Sequence, residues 1–291
     1  MSKPLFSVVI PTYNRPDFLP EAIDSVLNQT VGDLECIVVD DAGPIVATVP
    51  DDPRMKLIRH ASNGGEPAAR NTGIEAAEGR YVTFLDDDDV FTRDRLQIAL
   101  QGLERAPIAV CYRGGVDGSV GGNRDIEGQV HDSIVDGMTP QMGQVAVDRA
   151  NVPLFNTDFE ALTDVDWWMR ASSTMQVATV PEVGIRYRTH SGPRNRNGFE
   201  ARVVGSLLLL RTYEDYFEAR PRAAAFRWKR IGIMASSLGD RRLARAALLR
   251  SLRLRRDARA LKHLLTSLGR TSTVLDIPPS LRRLLDDSVL V

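Results

Sequence analysis

The chain has 291 residues, 43% hydrophobic and 26% charged, with 37 basic against 38 acidic side chains. That composition excludes a largely disordered or fibrous chain, and the length suits two domains or one large α/β domain with an appendage. The near-neutral total hides an asymmetry: residues 1–200 carry 18 basic and 30 acidic residues, residues 201–291 carry 19 and 8. In chain order, Phe6–Ile10 is a β-branched apolar run that reads as a buried strand. Pro16 opens a helical pattern through Phe18, Leu19, Ala22, Ile23, Val26 and Leu27. Leu34–Val39 and Met55–Arg59 are strands, and Asn63-Gly64-Gly65 turns into a helix over about 67–78. Tyr81–Leu85 is a fourth strand, followed by a helix over 93–105 and a strand at Ile108–Tyr112. Residues 113–143 lose periodicity into glycine-rich loops with room for a hairpin. Asp164–Thr174 is a helix, Val177–Pro181 and Ile185–Thr189 are short strands, and His190–Asn197 is a polar turn. Beyond about 199 the chain reads as helical, with breaks near 220, 239 and 269.

Strands separated by 10–15-residue helices are the pattern of βαβ units and a parallel sheet. Such sheets bind ligands beyond the carboxyl ends of their strands. The polar clusters of this chain fall there: Pro11-Thr12-Tyr13-Asn14, Asp40-Asp41 and Asp86–Asp89. Four adjacent carboxylates repel one another, and a hard divalent cation with phosphate oxygens would offset the cost. The simpler reading of that run is a solvated turn before the next helix. Arg70-Asn71, a surface pair in isolation, lies close behind Asn63-Gly64-Gly65 near a helix N-terminus, where phosphate is well accommodated. Cys36 and Cys111, neither in a CxxC, are expected as buried small hydrophobes. His60, His131 and His263 are expected as surface or packing residues. No P-loop, G-x-G-x-x-G or G-x-S-x-G occurs, so kinase, dehydrogenase and serine-hydrolase readings lack their motifs. No apolar run reaches the ~18–20 residues of a membrane span and none fits a signal peptide, so a cytoplasmic protein is expected.

The segments SVVIPTYNRPDFLPEAIDSVLNQT (7–30), IVVDD (37–41), NGGEPAARNTGI (63–74) and YVTFLDDDD (81–89) together resemble family 2 glycosyltransferases of GT-A fold. TDVDWWMR (163–170) is similar to the family's E-D-x-D-x-W-x-x-R segment, and RYRTHSG (186–192) to its Y-R-x-H segment. The resemblance covers roughly residues 5–195. It implies a Rossmann-like, mostly parallel sheet flanked by helices. It also implies a catalytic domain over 1–198, leaving a basic all-helical extension over 199–291.

The resemblance also implies roles. Pro11, Thr12, Tyr13, Asn14 and Arg15 would line the nucleotide-sugar pocket, with Tyr13 stacking on the base. Asp41 would accept a base N–H, with Asp40 behind it, and Arg70 would help hold base or diphosphate. Asp86, Asp87 and Asp88 form a D-x-D-like element, Asp87 facing the ribose and Asp88 the metal, with His190 reaching the metal from the other side. Asp164 would be the general base, with Asp166 as second choice. Asp166, Trp167 and Trp168 are also candidate walls for acceptor or sugar, although core packing is the commoner fate of such tryptophans.

The implied activity is inverting, Mn²⁺- or Mg²⁺-dependent transfer from a UDP-sugar to a hydroxyl of a carbohydrate, lipid-linked or small-molecule acceptor. A nucleotidyltransferase and a non-catalytic nucleotide-sugar-binding module are the alternatives. The family usually continues V-D-D with G-S-x-D, whereas this chain has Asp41-Ala42-Gly43-Pro44, and Thr163 stands where the family has Glu. Arginines 241–259, interleaved with Leu243, Ala247, Leu248, Leu252 and Leu254, admit either peripheral contact with the inner face of an anionic membrane or packing between helices. Nucleic acid is disfavoured because few aromatics interleave the arginines.

Overall fold

In a computed structural model of the chain, residues 3–119, 123, 125–131, 139–188, 198–268, 273–278 and 281–282 are described. The chain divides into two compact units, residues 1–157 with 163–191 and residues 158–162 with 192–291.

The first unit is built on an eight-stranded sheet of order β3-β2-β1-β4-β7-β6-β8-β5. Strands β1 (Phe6–Thr12), β2 (Leu34–Asp40), β3 (Met55–Arg59) and β4 (Tyr81–Phe84) run parallel, with Phe6 opposite both Leu34 and Tyr81. Every residue of β1 and β2 is buried, as expected where helices cover both faces of a parallel sheet. Alternation sorts their side chains: Val9, Ile37, Val39, Val82 and Phe84 enter one core, Phe6, Val8, Ile10, Cys36 and Val38 the other. The first core takes Ala69 and Ile74 of helix α2 (Glu66–Ala76) and Trp167 and Trp168 of helix α4 (Thr163–Thr174). The second takes Ile23 and Val26 of helix α1 (Leu19–Leu27) and Leu96 of helix α3 (Arg95–Leu103). At Gly73 a Cβ would lie 2.2 Å from Val9 Cγ1, so α2 sits against β1 only because glycine is there.

Past β4 the sheet becomes mixed. Strand β7 (Val145–Asp148) runs antiparallel between β4 and β6 (Ile108–Gly115), and β5 (Val90–Phe91) is antiparallel to β8 (Val177–Tyr187). Neither β5 nor β7 was expected: two and four residues give a period-2 signal too little length to show. The two strands expected at Val177–Pro181 and Ile185–Thr189 are one, because the ladder with β6 skips Pro181 and Glu182 at a register shift between Cys111 and Tyr112. Pro181 lacks the N–H that a ladder would require, so the irregularity falls there. β1 also extends through Pro11, which pairs with Val39, and α1 begins at Leu19 after a turn from Pro16. In the 113–143 stretch β6 continues to Gly115, and Gly128 bridges Val177. The rest of the expected hairpin falls partly on 120–122, 124 and 132–138, outside the described residues.

The second unit is helical: α5 (Phe199–Thr212), α6 (Glu214–Glu218), α7 (Pro221–Ser237), α8 (Arg241–Leu254) and α9 (Ala258–Thr266). Helix α7 packs on α5 and α8, and α9 packs on α8. A Cβ at Gly232 would lie 2.5 Å from Leu248 Cγ, so α7 and α8 meet at close range. No helix among the described residues is long and apolar enough to cross a membrane.

Candidate active site

The strand ends β1, β2 and β4 place their polar residues together at one edge of the sheet. Thr12, the last residue of β1, donates its hydroxyl to Asp87 Oδ2 at 2.7 Å, joining two segments 75 residues apart. Tyr13 follows with its ring about half exposed, open for stacking, and Asn14 takes a positive φ of 55° that turns the chain away from the strand. Arg15 lies 3.7 Å from Asp88.

Asp40 and Asp41 are both buried. Asp40 accepts the Gly43 and Ala47 N–H groups at 3.1 and 3.0 Å and pairs with Arg59, so it holds the loop after β2 in shape. Asp41 faces the other way. Its Oδ1 accepts the Gly64 N–H at 2.8 Å and its Oδ2 the Gly65 N–H at 2.7 Å, pinning the turn before α2. A base N–H at Asp41 therefore has to share an oxygen already in use. His60 Nδ1 stands 2.7 Å from Asp41 Oδ1 and His60 Nε2 stands 2.8 Å from Thr72 Oγ1. A carboxylate only accepts, so Nδ1 donates to Asp41, and Nε2 shares a hydrogen bond with the Thr72 hydroxyl. His60, expected to be a packing or surface residue, is thus part of the site's frame. In sequence it is a lone histidine after a strand, and only the fold brings Asp41 and Thr72 to its two nitrogens.

Arg70 was expected near a base or diphosphate, and the surface-pair reading is overturned. It is 2% exposed, its guanidinium rests 5.2 Å from the Phe155 ring centroid, and it pairs with Glu66 and, at 2.7 Å, with Asp86. Its neighbour Asn71 clamps the Phe155 backbone, donating to the carbonyl at 2.9 Å and accepting the N–H at 2.6 Å. Around Arg70 the carboxylates gather. Arg70 favours the charged form of Glu66, yet burial and the charges of Asp86, Asp164 and Asp88 outweigh it and raise the Glu66 pKa. Burial pushes Asp87 up to about 7 despite the Thr12 hydrogen bond. Burial and the charge of Asp86 push Asp89 to about 8, although it accepts the Arg188 N–H at 3.0 Å.

Helix α4 brings in the remaining carboxylates. Asp164, in its first turn, is partly exposed, accepts the Val165 N–H at 2.9 Å, and lies 3.4 Å from the Thr139 hydroxyl. Asp166 is 1% exposed and is held by Arg170 at 2.6 and 3.1 Å, so the second-choice base is closed in by its own counter-ion. Trp167 and Trp168 are fully buried and donate their indole N–H groups to the Pro153 and Pro140 carbonyls. They are core residues: with no ring face exposed, the sugar-wall reading of both fails, and for Asp166 it fails for the same reason. His190 lies outside the described residues. The chain two residues earlier is anchored beside the aspartates through Arg188 and Asp89.

The Asp86–Asp89 run offers only carboxylate oxygens, the donor type hard divalent cations take. Among the described residues no group of three or more His, Cys, Asp or Glu side chains is poised around one point. Mg²⁺ and Mn²⁺ accept one or two carboxylates completed by phosphate oxygens.

Residues 7–144 match the family described as glycosyl transferase family 2. A putative teichuronic acid biosynthesis glycosyltransferase, TuaG of Bacillus subtilis, is 35% identical over 118 residues, 38% of this chain and 47% of that protein. The chain spans less than half the length of the curated relatives it matches. Among solved structures, S. aureus TarS 1–349 in complex with UDP-GlcNAc is 17% identical, with a TM-score of 0.63 covering 90% of each chain. The mannosyltransferase PcManGT from Pyrobaculum calidifontis, in complex with GDP-Man and Mn2+, is 19% identical, with a TM-score of 0.55 covering 91% of this chain and 79% of that one. At such identities the likeness is one of fold, and the fold is of GT-A type.

Proposed function

We propose that the chain, whose residues 7–144 match glycosyl transferase family 2, is an inverting, metal-dependent glycosyltransferase using a nucleotide-diphosphate sugar, a UDP-sugar by preference. The observation that carries this reading is the convergence of Asp164 with Asp86 and Asp88 around the Arg70–Glu66 pair, from segments some eighty residues apart in sequence. Direct displacement requires a base on one side of the anomeric carbon and support for a departing diphosphate on the other. Asp164 takes the proton from the acceptor hydroxyl. The acceptor oxygen attacks the anomeric carbon as its bond to the diphosphate oxygen breaks, the electron pair leaves with the diphosphate, and an α-linked donor yields a β-linked product.

Asp88, with His190, is assigned to a divalent cation, Mn²⁺ or Mg²⁺, which when bound neutralises charge developing on the leaving diphosphate. Tyr13 stacks on the base in a pocket lined by Pro11, Thr12, Asn14 and Arg15. Asp41 meets the base edge from its position on the Gly64-Gly65 turn. Asp40 holds the loop behind it, and Asp87, fixed by Thr12, faces the ribose. Arg70 acts from beneath, holding Asp86 and Glu66 in place. The nucleotide-sugar complexes of the two structural neighbours support a donor of this class. Catalysis is assigned to residues 1–198, and the basic helical region 199–291 to peripheral contact with the cytoplasmic face of an anionic membrane.

Release of UDP from UDP-glucose, UDP-galactose and UDP-GlcNAc, with Mn²⁺ and with EDTA, tests the reading. One donor should be turned over only with metal, and Asp88→Ala should abolish that turnover. Turnover by Asp88→Ala undiminished in EDTA would remove the metal role, and no turnover of any nucleotide sugar would favour a binding module.

A further inference from the structure

The last helix of the second unit is amphipathic in an unexpected sense. Helix α9 turns Ala260 inward, and Ser267 just past its end is likewise fully buried, with Leu264 partly buried between them. Its outward side carries Leu261 and Leu265, and Leu268 continues the line just past its end, at 49%, 60% and 64% exposure. Single exposed leucines are ordinary, but three in helical register form a stripe that something must cover. On α8, Leu243, Ala247 and Leu248 are buried at the α7–α8 contact, while Leu254 at its end is 41% exposed.

The surroundings of the stripe are cationic. Arg255, Arg256, Arg259 and Lys262 are exposed, and no ion pair to any of them occurs among the described residues. Asp257 is the one acid between residues 241 and 275, and it is committed to Lys229 at 2.6 Å and to the α9 N-terminus, where it accepts the Ala260 N–H at 3.0 Å. A second copy of this surface would set cations against cations in a self-complementary contact. A nucleic acid would leave the leucines wet.

We infer that α9 is an interfacial helix whose Leu261–Leu265–Leu268 stripe enters the acyl boundary of an anionic bilayer while Arg255, Arg256, Arg259 and Lys262 meet the headgroups. A short apolar stripe holds weakly alone and is strengthened by basic residues at an anionic surface. The inference rests on the peripheral-membrane assignment above and not on the chemistry at Asp86–Asp164, so either can fail without the other.

Flotation of the full chain with vesicles of phosphatidylcholine alone, or mixed with phosphatidylglycerol, tests it. Binding is expected only to the mixed vesicles and should weaken as salt is added. The R259Q/K262Q variant should partition about fivefold more weakly per charge removed. The L261E/L265E variant should lose binding at low salt while keeping the wild-type melting curve and the wild-type rate of UDP release. Equal binding to neutral vesicles, binding that survives L261E/L265E, or no binding at low salt would overturn the proposal. So would a wild-type dimer that L261E/L265E converts to monomer, since a second copy would then cover the stripe.

Discussion

Strands β2 and β4 both end in aspartates, and the fold treats the two ends in opposite ways. At β2 every carboxylate oxygen has its partner: Asp40 has Gly43, Ala47 and Arg59, while Asp41 has Gly64, Gly65 and His60. At β4 four carboxylates share Thr12, Arg15, Arg70 and the Arg188 N–H, and burial pushes two of them up to about 7 and about 8. Buried negative charge that is fully hydrogen-bonded serves as a frame. Crowded, buried carboxylates suit a site that receives a cation and a phosphate-bearing ligand. On the proposed reading, a DD pair and a DDDD run at equivalent strand ends divide the labour between shaping the pocket and doing chemistry.

The sharpest way to break that division is at the carboxylate set against the β4 cluster. Asp164→Asn should lower turnover by ~10²–10⁴-fold with donor binding little changed, the usual worth of a general base. Asp166→Asn should act mainly on thermal stability, because its carboxylate is held by Arg170. A reversal of the two results in steady-state assays would move the base to Asp166.

Removing a frame carboxylate should appear first in folding. Asp40→Ala leaves the buried Gly43 N–H and the half-buried Ala47 N–H without their acceptor, a loss of about 1–3 kcal/mol that urea denaturation would register. An unchanged midpoint with lost activity would place Asp40 in the site itself.

His60 tests the boundary between frame and site. His60→Ala removes one hydrogen bond from Asp41 and one from Thr72 and should raise the KM for the nucleotide sugar roughly three- to tenfold, the worth of a single net hydrogen bond. A change in kcat with KM untouched would contradict a positioning role.

The smallest effect is expected at the opposite end of the sheet, where Glu35 gives a pure frame for comparison. Burial raises the pKa of Glu35, but Lys56, the Ser7 hydroxyl and the Glu78 N–H together outweigh it and hold the group below its ordinary value. A depressed carboxylate pKa adds stability above the unfolded value, about 4.3 for glutamate, and that stability is lost as pH falls through the folded value. The stability difference between the wild type and Glu35→Gln should therefore be largest near neutrality and shrink in acid. A constant difference from pH 7 to pH 3 would mean that Glu35 carries no such coupling.

Much of this was legible in the sequence, for reasons particular to each element. FSVVI, LECIVV and YVTF are short β-branched runs buried on both faces, and continuous apolar character marks such strands whatever surrounds them. The aspartates that follow those runs stand where the chain leaves the sheet, so their clustering was readable from position alone. β7 was not readable, because four residues between polar stretches acquire strand geometry only from β4 and β6 on either side. Trp167 and Trp168 could have lined a pocket by spacing, and the core that closes over both of them is formed by segments distant in sequence.

By itself the sequence determined the alternation of strands and helices, the strand-end placement of the acidic residues and the division of charge between the two halves of the chain. These are local properties, set by side-chain periodicity and by where apolar runs stop. Tertiary structure alone decided that Arg70 is a buried counter-ion, that His60 joins Asp41 to Thr72, and that Asp164 is open while Asp166 is shut. It also decided which leucines of the basic helices are covered and which remain exposed. Each depends on a partner far along the chain, and a side chain's charge, burial and reach are fixed only when that partner arrives.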